Sequence, residues 1–236
     1  MALRPKVLFV VTSHDQLGNT GRKTGWYLPE GAHPHEVLAP YADIIWASPK
    51  GGITPLDPMS DQVDDDDLLT RNFLLKKESW RSSEKLANFL GRADEFEAVF
   101  YVGGWGPMFD LATDSGSHQL INEFYAAEKI VSSVCHGPGA LAKVKLPSGK
   151  YFLDGEPVTG YSNVEEGMAG VVEVMPFSLE DALQTASGGH YKKATEPLGV
   201  NVVVARGGKL INGQNPASAG PTAEAILASL KQSGKI

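Results

Sequence analysis

Short apolar runs recur along this chain, and segments of helical period separate them. Lys6-Val-Leu-Phe-Val-Val-Thr12 carries no polar residue between its ends, and Asp43-Ile-Ile-Trp-Ala-Ser48 and Ala98-Val-Phe-Tyr-Val-Gly-Gly104 read the same way. A strand with one face in water alternates polar and apolar residues, whereas an unbroken apolar run belongs to a strand covered on both faces. Ile130-Val-Ser-Ser-Val-Cys135 is a fourth strand, and Val200 to Ala205 is a further strand, with Lys209-Leu-Ile211 pairing beside it after the Gly207-Gly208 turn. Val158-Thr-Gly-Tyr161 is a further strand candidate. Between these runs, Leu120, Ile121, Phe124 and Tyr125 predict a helix over Ser117 to Lys129, Leu179 to Ala186 repeats the spacing, and Ala223, Ile226, Leu227 and Leu230 mark the last helix. A short helix is expected from Gly31 to Tyr41, after a loop from Ser13 to Pro29. A longer helix is expected from Leu68 to Phe89, broken near Ser79 to Ser83. Pro49 to Pro55 reads as a turn or small hairpin. Strands alternating with helices predict an α/β fold with a mostly parallel sheet covered on both faces. With 236 residues, no internal repeat and no low-complexity linker, one domain over 1–236 is the simplest organisation.

Charge and cysteine usage narrow the function classes. Twenty-one basic against 28 acidic residues give a net charge of -7, and no basic cluster offsets it. Nucleic acid and anionic membranes are therefore poor partners. A single cysteine rules out an intramolecular disulfide framework and suits a reducing compartment. The apolar run at Val7 to Val11 is too short to span a bilayer and lacks a signal-peptide cleavage site, so a cytoplasmic location is expected, with the nucleus as an additional one. The acidic run Asp64 to Asp67 lacks the spacing of a calcium loop and reads as a solvated face or a helix N-terminus.

The chemistry concentrates at Val131-Ser-Ser-Val-Cys-His-Gly-Pro-Gly-Ala-Leu-Ala142. An apolar strand runs straight into Cys135, small residues follow, and a helix begins at once: the layout of a nucleophile elbow. A lone cysteine is ordinarily a small core residue, but this one ends a strand and is followed by His136, Gly137 and Gly139. A helix N-terminus beside the thiol would lower its pKa. Gly103-Gly-Trp-Gly-Pro107 ends the preceding strand, where the N–H of Gly104 could complete an oxyanion hole. Three carboxylates, Glu30, Glu165 and Glu166, stand near turn signals, and spacing alone does not raise them above surface residues.

Ser133-Val-Cys-His-Gly-Pro138 resembles the elbow of the ThiJ/PfpI superfamily. Lys23-Thr-Gly-Trp-Tyr-Leu-Pro-Glu30, Thr159-Gly-Tyr-Ser-Asn-Val-Glu-Glu166 and Gly213-Gln-Asn-Pro-Ala-Ser-Ala219 resemble segments of one branch, the glutathione-independent glyoxalases (glyoxalase III), which includes heat-inducible chaperones. These matches span essentially the whole chain. The resemblance implies a flavodoxin-like three-layer α/β sandwich and a homodimer. It implies a Cys-His-Glu triad at Cys135, His136 and Glu166, the second of the paired glutamates, and a proton-handling Glu30 in contact with the thiol. It implies conversion of a small 2-oxoaldehyde, methylglyoxal, to lactate without glutathione, metal or other cofactor. The oxyanion would be held by the N–H groups of Gly104 and His136. Trp105 departs from the Gly-Gly-His-Gly of many relatives and would line the substrate site. No His-x-Glu follows late in the chain, since His190 is followed by Tyr and Lys, so a glutamine amidotransferase is disfavoured. Rival readings are a stress chaperone or deglycase acting on unfolded or glycated client proteins, a cysteine peptidase or amidase, and a redox sensor at Cys135.

Overall fold

A computed structural model describes residues 4–62 and 65–236. The elements in chain order are β1 (Lys6–Val10), α1 (Leu28–Leu38), β2 (Asp43–Ser48), β3 (Gly52–Ile53), α2 (Leu68–Leu75), β4 (Ser82–Lys85), β5 (Ala98–Tyr101), α3 (Ser115–Ala126), β6 (Ile130–Val134), α4 (Gly139–Ala142), α5 (Asn163–Ala169), α6 (Leu179–Ala186), β7 (Val202–Ala205), β8 (Leu210–Gly213) and α7 (Ala219–Gln232). The strands form one sheet in the order β3-β4-β2-β1-β5-β6-β8-β7. Pairings among β4, β2, β1, β5, β6 and β8 are parallel, and only the outermost strands β3 and β7 run antiparallel to their neighbours. This is an α/β sandwich of flavodoxin-like form.

Strand alternation separates the core into two halves. In β1, Leu8 and Val10 join the cluster that holds Leu120, Phe124 and Leu183, while Val7 and Phe9 join the cluster with Leu38, Ala223 and Ile226. Side chains of a strand point alternately to opposite faces. Hence α3, α4 and α6 cover one face, and α1 and α7, packed on each other, cover the other. Every residue of β5 and β6 is buried, as the unbroken apolar runs predict. The carboxyl ends of β5 and β6 lie side by side, with Tyr101 opposite Ser133. That pairing carries the two following turns, at Gly103 and Cys135, to one edge of the sheet, where parallel α/β folds hold their ligands.

Three expectations change. The segment Leu68 to Phe89 is not one interrupted helix: α2 stops at Leu75, and Ser82–Lys85 is a strand, pairing with β2 at Ala47 and Ser48. Its polar sequence, with only Ser83 buried, hides a strand whose order comes from its neighbour's hydrogen-bonding edge. Val158 to Tyr161 is not a strand of the sheet but makes a single bridge to Tyr191. Helix α1 begins at Leu28, before the expected Gly31, because Pro29 occupies its first turn, where a missing N–H is harmless. Asp67 of the acidic run caps α2 by accepting from the Thr70 N–H, while Asp64 lies outside the described residues. No helix among the described residues is long and apolar enough to cross a membrane.

Candidate active site

Cys135 follows β6 directly and takes φ +60°, a left-handed conformation that costs a non-glycine residue about 1 kcal/mol or more. The neighbours hold it there. Its N–H donates to Gly213 O at 3.0 Å, and its carbonyl accepts from Tyr161 N–H at 2.9 Å. Gly137 makes the turn possible, because a Cβ there would lie 2.3 Å from Tyr101 O. The elbow read from the sequence is thus present, with its side chain lifted off the sheet edge.

Glu30 meets the thiol from the first turn of α1. Gly103 is the enabling residue: a Cβ there would lie 2.2 Å from Glu30 Oε2 and 2.8 Å from the Cys135 Cβ. Glu30 is fully buried, and neither carboxyl oxygen makes a hydrogen bond of good geometry, the Cys135 thiol and the N–H groups of Gly104 and Gly103 being its nearest donors. Burial pushes its pKa up to about 8. The Cys135 thiol and the N–H groups of Gly104 and Gly103 oppose that rise, and Asp57 adds to it. Cys135 moves the same way. Burial first, then the facing Glu30, hold the thiol well above its ordinary value, with only the Gly104 N–H pulling it down. The expectation of a helix-activated, low-pKa thiol is therefore corrected. Helix α4 has four residues and starts at Gly139, too short and too far along the turn to offset burial beside an acid.

His136 links the thiol to Glu166. Its Nδ1 lies 3.3 Å from Cys135 Sγ, and its Nε2 lies 2.7 Å from Glu166 Oε2. All three side chains are buried. The ring of Tyr161 packs against the imidazole with centroids 4.6 Å apart. Trp105, expected to line the substrate site, stands in the wall of the cavity beside the thiol, and its indole N–H donates to Glu166 Oε1 at 3.1 Å. Both oxygens of Glu166 are thereby engaged, one by the imidazole and one by the indole. The N–H of Gly104 faces the thiol and Glu30, and that of His136 has no partner among the described residues; these are the backbone donors beside the sulfur.

The neighbouring glutamates divide their tasks. Ser162 and Glu165 form a capping box at the start of α5, each side chain accepting from the other's backbone. Ser162-Asn-Val-Glu165 is the sequence signal for this helix, which periodicity alone does not reveal. Glu165 also accepts from Leu198 N–H, Gln214 Nε2 and Asn215 Nδ2. Burial works to raise its pKa, but the Ser162, Asn215 and Gln214 bonds prevail and hold it below the ordinary carboxylate value. The Gly213-Gln-Asn-Pro segment thus anchors Glu165, leaving Glu166, the next residue on α5, to face the imidazole.

These groups open into a cavity of about 210 Å³. Its wall includes Cys135, His136, Glu30, Gly104 and Trp105, which the sequence singled out, and Arg22, Tyr27, Asp57, Met59 and Tyr161, which it did not. Among the described residues no group of three or more His, Cys, Asp or Glu side chains is placed to hold a metal ion.

No family model matches the chain. A rapid encystment protein of Francisella tularensis has a solved structure that superposes with TM-score 0.87 at 36% identity, covering 96% of this chain and 99% of that one. Glyoxalase 3 of Candida albicans is 26% identical, over 96% of this chain and 98% of its own. The glutathione-independent glyoxalase HSP31 of Saccharomyces cerevisiae matches with the same identity and coverage. Over nearly its whole length the chain is thus similar to glutathione-independent glyoxalases, and it shares the fold of a ThiJ/PfpI domain protein of Brachyspira murdochii, with TM-score 0.61 at 19% identity. The Lys23–Glu30, Ser133–Pro138 and Thr159–Glu166 segments supply the groups that converge on this cavity, and Gly213–Ala219 braces them from behind.

Proposed function

We propose that this protein is a glutathione-independent glyoxalase that converts methylglyoxal and water to lactate through a covalent adduct on Cys135. Full-length relatives at 26% identity that carry this name support glyoxalase III activity in general. The observation that carries the mechanism is Glu30: a buried, weakly hydrogen-bonded carboxyl beside the only cysteine, with a pKa raised to about 8. A base for carbon-bound protons works best when its pKa lies near the working pH and water is excluded from it.

Sulfur attacks the aldehyde carbon, and the thiol proton passes to His136 Nδ1 as the carbonyl oxygen becomes an oxyanion facing the Gly104 and His136 N–H groups. The oxyanion then takes that proton from His136, which returns to its neutral form. Ionised Glu30 removes the hydrogen from that former aldehyde carbon and returns it to the neighbouring carbon, while the hydroxyl proton on the first carbon passes to the oxygen of the second. The first carbon is thereby oxidised to a thioester and the second reduced to an alcohol, with no external electron donor. Water, deprotonated by His136 with Glu166 holding the imidazole, attacks the thioester, and the thiolate leaves with lactate as product. The cytoplasm and a homodimer complete this reading, and no cofactor enters the cycle. A redox sensor fits less well, because it needs only the thiol and gives no role to buried Glu30 or to the His136–Glu166 pair beside it.

Lactate formation from methylglyoxal without glutathione tests the proposal. The wild-type protein is expected to turn over and Cys135→Ala to form none. Sustained turnover by that variant would rule out the covalent step. Trp105→Phe keeps an aromatic wall but removes the N–H bond to Glu166. Steady-state kinetics should show kcat about tenfold lower, a change larger than that in KM, because a hydrogen bond to a charged acceptor is lost from the group that orients His136. An equal rise in KM with kcat intact would instead make Trp105 a simple wall of the substrate site.

A further inference from the structure

The cavity has an inner and an outer half with different chemistry. The inner wall is buried Cys135, Glu30, Gly104 and His136, and the outer wall includes the exposed Arg22 and Met59. A volume of about 210 Å³ corresponds to ~7 liquid waters. Methylglyoxal has only a methyl group beyond its two carbonyls and leaves much of that space unused. The unused part is where Arg22 stands. Its guanidinium has no hydrogen-bond or ion-pair partner among the described residues, whereas the adjacent Lys23 is paired with Asp15. Of the carboxyls that share the wall, Asp57 is occupied on both oxygens, by Met59 N–H and by the Thr24 hydroxyl. Glu30 is enclosed with the thiol, and Glu166, which does not reach that wall, is held by His136 and Trp105. Arg22 is thus a cation facing the cavity with no anion assigned to it, and no Lys or other Arg lines that wall.

We propose that Arg22 makes the outer half of the cavity a subsite for an anionic group, so that the preferred substrates are 2-oxoaldehydes bearing a carboxylate or phosphate beyond the dicarbonyl. This deepens the glyoxalase reading and rests on it for the reaction, though not for the subsite. The dicarbonyl end reaches Cys135 while the anion stays at the solvent-facing guanidinium, whose planar donors suit either oxyanion. Because Arg22 is exposed, its pull is screened by water and salt, and the selectivity it confers should weaken as ionic strength rises.

Two ratios test this in the wild type, Arg22→Ala and Arg22→Lys. The first is the rate of alkylation of Cys135 by anionic iodoacetate relative to neutral iodoacetamide, read by the mass shift of the only cysteine in the chain. It should fall about tenfold in Arg22→Ala and largely recover in Arg22→Lys. The second is kcat/KM for 4,5-dioxopentanoate relative to methylglyoxal, which should fall to a similar extent. An unchanged alkylation ratio, or an unchanged turnover ratio in an enzyme that processes both aldehydes, overturns the proposal. A wild-type protein that forms no product from either aldehyde refutes the glyoxalase reading, while the alkylation ratio still decides the subsite.

Discussion

Glu30→Gln should end turnover of methylglyoxal and make the folded protein more resistant to alkaline unfolding. The amide keeps the size of the side chain but cannot take the carbon-bound proton of the adduct, so kcat/KM is expected to fall about a thousandfold or more. The stability effect follows from the same burial. Glu30 titrates near 8 in the folded chain, against an ordinary value of 4.5. Between those values the folded state keeps a proton that the unfolded chain has released. The protonated acid's contribution is therefore fully present below about pH 4.5 and is lost as pH rises through 8. The loss amounts to about 1.4 kcal/mol per pH unit within that window. Glutamine does not titrate, so the stability of Glu30→Gln relative to wild type should climb with pH from 5 to 8, as denaturant titrations at several pH values would report. Parallel curves for the two proteins would mean that Glu30 ionises freely, and would remove its claim to be a base tuned by burial. A residue that destabilises its own fold at working pH is what a site selected for chemistry rather than packing looks like.

Glu165→Ala should be the most damaging single change to stability among the residues of the site. Its carboxylate collects the Ser162 N–H and hydroxyl, the Leu198 N–H and the amides of Gln214 and Asn215. Alanine strands all of these donors in a buried position. The cost is about 4 kcal/mol, since such bonds are not additive and partial relaxation is expected. For a chain of this size that lowers Tm by about 10 °C. Glu165→Gln, which retains one acceptor oxygen, should lose about half as much. Because the carboxylate's pKa is depressed, its contribution is present above about pH 4.5 and fades as pH falls through the folded value. The deficit of the Ala variant should shrink accordingly in acid. A Tm within 2–3 °C of wild type at neutral pH, on the order of 1 kcal/mol, would show that this network contributes little. Activity should also drop, because α5 presents Glu166 to His136 only while its first turn is pinned.

How far the sequence reaches depends on the range of the interaction. The runs of β1 and β5 are legible because burial on both faces leaves their interiors apolar, β6 because only two small serines interrupt it, and the elbow because Cys135 and its glycines sit within one turn. The capping box of α5 is equally local, and Ser162 with Glu165 announces it. Strand β4 is not legible: Ser82-Ser-Glu-Lys85 becomes a strand only because β2 offers it a free edge. Nor is the state of the thiol. Local sequence points to activation by a helix dipole, whereas the fold buries Cys135 against Glu30 and reverses the shift. Trp105 looks like substrate wall until tertiary packing brings it to Glu166, 61 residues away in sequence. Periodicity, turn chemistry and the strand-to-helix elbow, all governed by neighbours in the chain, were determined by the sequence itself. The facing of Glu30 and Cys135, the division of labour between Glu165 and Glu166, and the unpaired Arg22 at the cavity wall were decided only by tertiary structure, because burial and electrostatic partnership depend on groups that the chain brings together from far apart.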